Sequence, residues 1–212
     1  MPVTSCALCK SNNLLPILDL GLHPLADSFL KKEDLLHPEA TYPLQVLLCK
    51  ECGHAMNSYV VPAEERYQEH DYSYDSGNSK VSIEHFKEMA TEAAQRVEVG
   101  QGDLVVDIGG SVGTLLEAFR AKTGATIFNV EPAHNIAAMA QKNGIETVND
   151  FFTDTVAESI AQRGGAKVIA MTNAFNHIAY LDAFMEAIMR ALRQDGAFII
   201  EVPYLLHMVE KL

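Results

Sequence analysis

The 212-residue chain has no apolar run near the ~18 residues that a membrane-spanning helix needs. Its N-terminus lacks the charged and apolar regions of a signal peptide. Both absences speak against a membrane partner and predict a cytoplasmic protein. Cations are scarce, with 16 Lys/Arg against 28 Asp/Glu and a net charge of −12. The deficit is spread along the chain: residues 1–70 alone hold five Lys/Arg against nine Asp/Glu. No basic arm hides in an acidic average, so nucleic acid, which is bound through clustered Lys and Arg, is not an expected partner. Repeats and low-complexity tracts are also missing. What remains, at 48% hydrophobic and 21% charged residues, is the composition of an ordinary globular protein.

The most informative segment is Leu104 to Gly113, Leu-Val-Val-Asp-Ile-Gly-Gly-Ser-Val-Gly, followed by Thr114-Leu-Leu-Glu-Ala-Phe-Arg. An apolar strand breaks into a glycine turn and then a helix N-terminus. Glycines there accept positive φ and let another molecule approach the backbone, and the helix start favours polar or anionic ligand groups. A second apolar run, Ala125–Val130, ends at Glu131, eighteen residues after Gly113. An acidic side chain at the tip of the second strand is where a nucleoside-type ligand places its ribose hydroxyls.

Cysteine is scarce but ordered. All four form two C-x-x-C hooks, Cys6–Cys9 and Cys49–Cys52. Two hooks complete a tetrahedral site of four thiolates suited to structural Zn2+, with no open position for catalysis. Two disulfides or four core cysteines are the alternatives, disfavoured in a reducing compartment. Gly53 supplies the backbone freedom that the second hook needs. The 39 residues between the hooks exceed the compact spacing of roughly 15–20. An insertion is therefore expected to loop out, with Leu20–Phe29 its candidate. His54 reads as a surface histidine.

Residues 60–80 read as a turn-rich linker carrying Tyr67, Tyr72 and Tyr74. Either it is a plain connector, or it lies across an active-site mouth and presents tyrosine hydroxyls to a polar substrate. Beyond it, Ser82–Val97 has helical periodicity, with Ile83, Phe86, Met89, Ala90, Ala93 and Val97 on one face. Strands and helices then alternate: strand 125–130, helix 133–143, a short strand 145–148, helix 153–162, strand 166–171, helix 181–192 and strand 197–202. An Asp195-Gly196 turn precedes the last strand, and Leu206–Leu212 reads as an interrupted helix. This order predicts an α/β fold with a parallel sheet and right-handed crossovers. Ligands of such a sheet sit at the carboxyl ends of its strands. Asp107, Glu131, Asn149-Asp150-Phe151 and Thr172-Asn173 converge there.

The loop Gly109-Gly-Ser-Val-Gly113 is not the complete G-x-G-x-x-G of a dinucleotide site. An acidic rim suits a ligand with an ammonium and a sulfonium better than a pyrophosphate. S-adenosylmethionine is the expected cofactor. Its predicted contacts are Asp107, Gly109, Gly110, Ser111, Gly113, Glu131, Asp150, Phe151 and Asn173.

In combination, these motifs resemble the sugar C-methyltransferases, which act on nucleotide-activated deoxysugars. The resemblance runs through Cys6-x-x-Cys9, Leu20-Gly-x-x-Pro-Leu-Ala-Asp-x-Phe29, Cys49-x-x-Cys52-Gly-His and Tyr72-x-Tyr74-x-Ser76-x-x-Ser79. It continues through Asp107–Leu116, Val130-Glu-Pro132, Phe151-Phe152, Asn173-x-x-x-His177-Ile and Glu201-Val-Pro-Tyr204. It implies a zinc-binding domain at 1–68 and a Rossmann-like class I methyltransferase core at 69–212. The activity implied is methyl transfer to a carbon next to a ketone, through an enolate that needs a base and an oxygen-stabilising group. His177 is the candidate for either task, and Tyr72 and Tyr74 for nucleotide-sugar contact. The chain has Ser111-Val112 where the family's loop usually carries Asn-Asp. It ends after the fifth strand, short of the family's two further strands and its C-terminal Tyr-His-Glu-His motif. A chain that is naturally this short is expected to self-associate through the exposed sheet edge. An RNA methyltransferase and a non-catalytic subunit of the same fold are the alternative readings.

Overall fold

A computed structural model describes residues 1–26, 29–69 and 71–211. The chain divides into two compact units, Met1–Ser73 with Ala179–Asp182, and Tyr74–Ile178 with Ala183–Leu212.

The first unit is built on an antiparallel sheet of β1 (Leu14–His23), β2 (Tyr42–Cys49) and β3 (Ala55–Asn57), in that order. The expectation that Leu20–Phe29 loops out is corrected at its first half. Leu22 pairs with Pro43 and His23 with Tyr42, so β1 continues to His23. Bulges between Pro16 and Leu18 and between Asp19 and Leu22 each take up one residue of β1 along the way. At the second, the Asp19 carboxylate accepts the Gly21 N–H at 2.9 Å, and Gly21 takes a φ of 82°. The excursion runs from 24 to 41 and includes a 3-10 turn at Asp34–Leu36. Asp27 and Ser28, in the expected insertion, lie outside the described residues, as do His70 of the linker and Leu212. The linker is also more regular than a turn-rich connector: Ala63–Tyr67 forms a short helix, α1.

In the second unit, α2 (Lys80–Val97) starts two residues earlier than its apolar pattern suggests, because Ser79 caps it. The Ser79 hydroxyl accepts the Ser82 N–H at 3.4 Å. Then follow β4 (Leu104–Ile108), α3 (Thr114–Thr123), β5 (Thr126–Val130), α4 (His134–Lys142), β6 (Thr147–Val148), α5 (Asp154–Gln162), β7 (Ala166–Thr172), α6 (Leu181–Ala191), β8 (Leu192–Glu201) and α7 (Leu205–Lys211). The sheet order is β6-β5-β4-β7-β8, with every pairing parallel. Asp195-Gly196 lies within β8 and not ahead of it. The ladder steps from Ala166 opposite Leu192 to Val168 opposite Ala197, so the turn is a bulge in the strand.

The period of two along each strand divides the core into two layers. Val105, Ile127, Val168 and Ala170 join Phe86, Leu115, Leu116 and Phe119 in one. Val106, Phe128, Ile169 and Met171 join Ile160, Phe184 and Ile188 in the other. By the same alternation, Asp107 and Asn129 share a face with Val105 and Ile127, and they are direct partners in the β4–β5 register. Among the described residues no helix is long and apolar enough to cross a membrane.

Candidate metal centre and cofactor cavity

The two cysteine hooks fold alike. In the first, Lys10 takes a φ of 64° and its N–H donates to the Cys6 carbonyl at 3.0 Å. In the second, Gly53 takes a φ of 74° and donates to the Cys49 carbonyl at 2.9 Å. The residue after each second cysteine is thus left-handed, which turns both thiols of a hook inward. The glycine was readable from the sequence. The lysine was not, since only the hook's closure forces that conformation on a side chain that rarely adopts it. Cys6 Sγ lies 3.6 Å from Cys52 Sγ, and Cys9 Sγ lies 3.5 Å from Cys49 Sγ. The ligand atoms of all four lie within 4.8 Å of one another. Four sulfurs so placed match the tetrahedral thiolate donor set that selects Zn2+.

In the second unit, a narrow cavity of about 20 Å³ opens at the carboxyl end of β4, lined by Tyr74, Ser76, Phe86, Asp107, Gly109, Gly110, Ser111, Leu115, Thr172 and Asn173. The structure thereby unites Asp107, Gly109, Gly110, Ser111, Asn173 and Tyr74 of the expected site residues. Tyr74 and Ser76 come from the linker, and Ser76 is seated on the glycine loop. Its N–H donates to Ser111 Oγ at 3.3 Å, and its hydroxyl lies 3.2 Å from Thr114 Oγ1. Ser111 has a φ of 51° and is held from two more sides. Its N–H donates to Glu131 Oε2 at 3.0 Å, and its carbonyl accepts from Asn129 Nδ2 at 2.9 Å. The Ser111-Val112 tip therefore serves as the seat of the linker segment.

Gly109 has a φ of 70°, and a β-carbon on it would meet Ala174 Cβ at 3.0 Å. A β-carbon on Gly110 would overlap Asn129 Oδ1 and stand 2.8 Å from Asp107 Cγ. Two buried oxygens, Asp107 Oδ1 and Asn129 Oδ1, have no hydrogen-bond partner among the described residues. Buried acceptors left unmade are costly, so they ask for a donor-bearing ligand group. Burial, with the Glu131 charge behind it, pushes the Asp107 carboxyl up to about 8. Burial also raises Glu131, against the N–H groups of Ala133 and Ser111 that favour its charged form.

The remaining expected residues lie outside the cavity lining. Glu131 is buried at the end of β5, where Oε1 accepts the Ala133 N–H at 2.9 Å. Asp150 is exposed, and its carboxylate accepts the Phe151 N–H at 2.7 Å. Gly113 caps α3 with a φ of 86°. His177 closes a 3-10 turn at Phe175–His177, exposed, with Nε2 3.4 Å from Asn176 Nδ2. Tyr72 belongs to the first unit, its ring 5.3 Å from that of Tyr67. Sequence reading missed His85, which pairs through Nε2 with Glu201 Oε2 at 2.6 Å. Its position in α2, next to the core residue Phe86, was the available signal.

A glycine loop after the central strand, an acidic residue ending the next, and five parallel strands define the class I S-adenosylmethionine methyltransferase fold, here alongside a four-cysteine module. Comparison with known proteins agrees. Residues 83–211 match the family model described as "Methyltransferase domain", and residues 6–67 match the one described as "Putative zinc binding domain". The chain belongs to the methyltransferase-domain family, with a zinc-binding domain match ahead of it. It is 31% identical over 210 residues to the C-methyltransferase NovU of Streptomyces niveus, covering 99% of this chain and 49% of that protein. The chain thus spans about half the length of that relative. In fold it is similar to the cyclopropane synthase MmaA2 of Mycobacterium tuberculosis, with a TM-score of 0.50 at 16% identity over 66% of this chain and 52% of that one.

Proposed function

We propose that the chain binds S-adenosylmethionine in the cavity at the end of β4 and contributes to methyl transfer onto a carbon beside the ketone of a nucleotide-activated deoxysugar. One observation carries the cofactor reading: the buried, unpartnered Oδ1 of Asp107 beside a glycine loop whose atoms leave no room for a β-carbon. An ammonium group answers that need, supplying both a donor and the charge that lets Asp107 ionise. Glu131 keeps a second lone pair on each carboxylate oxygen for ribose hydroxyls, while the first pair accepts backbone N–H groups. When bound, the cofactor supplies an electrophilic methyl group.

The substrate reading rests on the resemblance of the motifs and on the C-methyltransferase relative. In it, His177 acts at the sugar, taking the proton next to the ketone or holding the enolate oxygen. Tyr74, at the cavity wall, and Tyr72 contact the nucleotide-sugar. Asp150 and Phe151, at the end of the third strand, meet the adenine, and Gly113 starts the helix that faces the ligand. The four thiolates of Cys6, Cys9, Cys49 and Cys52 hold a structural zinc ion. Domain limits of 1–68 and 69–212 belong to the same proposal.

Calorimetric titration of the zinc-loaded chain with S-adenosylmethionine tests the cofactor reading, and binding at one site per chain is expected. Absence of heat and of any S-adenosylhomocysteine-dependent thermal shift would sink it. Methyl incorporation into a keto-deoxysugar nucleotide, abolished in His177→Ala, is expected for the substrate reading.

A further inference from the structure

Asn173 is an unusual wall residue. It lines the cavity with a φ of 54°, a left-handed conformation that asparagine tolerates better than most side chains and that its hydrogen bonds fix in place. What holds it is Glu201, at the carboxyl end of β8. The Asn173 N–H donates to the Glu201 carbonyl at 2.7 Å, and Asn173 Nδ2 donates to Glu201 Oε1 at 3.2 Å. The other carboxylate oxygen, Oε2, meets His85 Nε2 at 2.6 Å. His85 precedes Phe86, which lines the same cavity from α2, and the two rings are 5.7 Å apart. One side chain thus joins the helix that supplies one wall to the strand end that clamps another.

We propose that His85, acting through Glu201, is a positioning residue for Asn173 and so for the ligand in this cavity. The inference rests on the cofactor reading above. A carboxylate with both oxygens engaged has one orientation. Freed on the His85 side, it rotates, the Nδ2 bond lengthens, and the Asn173 side chain loses its fixed orientation at the cavity wall. The His85 imidazole is about half exposed, so its loss leaves no cavity in the core. Its effect is expected in binding and not in folding.

Binding of S-adenosylhomocysteine to the zinc-loaded chain is measured by calorimetry for the parent, His85→Ala, His85→Gln, Asn173→Ala and the double alanine variant, with a thermal melt of each. His85→Ala is expected to weaken binding about tenfold with an unchanged melt. His85→Gln keeps an N–H donor at similar reach and is expected to restore affinity to within about threefold. In the Asn173→Ala background, His85→Ala is expected to add less than about twofold, because the two act on one element. Parent-like binding by His85→Ala, or the same loss in both backgrounds, overturns the inference and leaves the cofactor reading standing. Failure of the parent itself to bind overturns both.

Discussion

Gly113 and Ile145 pack in direct contact: a β-carbon on Gly113 would overlap Ile145 Cδ1 and stand 3.2 Å from Cγ1. The glycine that begins α3 is therefore required twice, once for its φ of 86° and once for the space that Ile145 occupies. The left-handed state costs a non-glycine residue about 1–2 kcal/mol, and overpacking a core adds roughly 1–3 kcal/mol. Gly113→Ala is expected to lower stability in urea by about 2–5 kcal/mol, the sum of those two effects. Adding Ile145→Ala should not restore it fully, since the backbone term remains.

Gly110→Ala tests the cradle, with a thermal melt alongside it to register the strain on the buried Asn129 and Asp107 side chains. The added β-carbon is directed at Asn129 Oδ1 and at Cγ of Asp107, the two residues whose buried Oδ1 atoms have no partner among the described residues. Loss of detectable S-adenosylhomocysteine binding is expected in calorimetry. Retained affinity would place the ligand elsewhere.

Asp107 gives the fold a pH dependence of known sign. Its folded pKa is raised to about 8, so between about pH 4 and pH 8 the folded state holds a proton that the unfolded chain has released. Stability is full below the unfolded value and falls as pH rises through the folded one. Glu131, also raised by burial, acts in the same direction. Asp107→Asn is expected to melt higher than the parent at pH 8, with the gap closing toward pH 4. A gap that widens toward acid would refute the assignment.

The cysteine centre predicts about one zinc ion per chain by metal analysis, as a four-thiolate site holds one ion. Chelation, or Cys49→Ser, is expected to open residues 1–73 to limited proteolysis while a fragment from near residue 74 persists. Equal protection with and without metal would show that the ion does not hold the unit together.

At the opposite end of the sheet from the cavity, Arg193 bridges Asp103 at 2.6 Å and Asp195 at 2.7 Å, and Lys167 reaches Asp195 at 2.9 Å. The Arg193 and Lys167 partners hold the Asp195 carboxyl far below its ordinary range. A lowered carboxylate stabilises the fold above its unfolded pKa, and that contribution fades as pH falls. Arg193→Ala is expected to destabilise the protein at neutral pH, with the loss shrinking in strong acid. Equilibrium unfolding at pH 7 and pH 3 separates these outcomes.

Local periodicity and spacing determined much of this protein. Near-continuous apolar runs in Leu104–Ile108, Thr126–Val130 and Ala166–Thr172 demand a strand buried on both faces. Turn chemistry at Gly109–Gly113 and the paired cysteines each encode their geometry within a few residues. The strands, the helices, the glycine loop and the four-thiolate centre are accordingly readable from the chain alone. Only the tertiary structure decided what depends on partners far apart in sequence. Lys10 is left-handed because hook closure demands it, and β1 runs to His23 because Tyr42 and Pro43 wait opposite. Ser76 is seated on Ser111 across 35 residues, and His85 reaches Glu201 across 116. Side-chain pairing over such separations leaves no periodic trace, because it is set by which strand ends the sheet brings side by side.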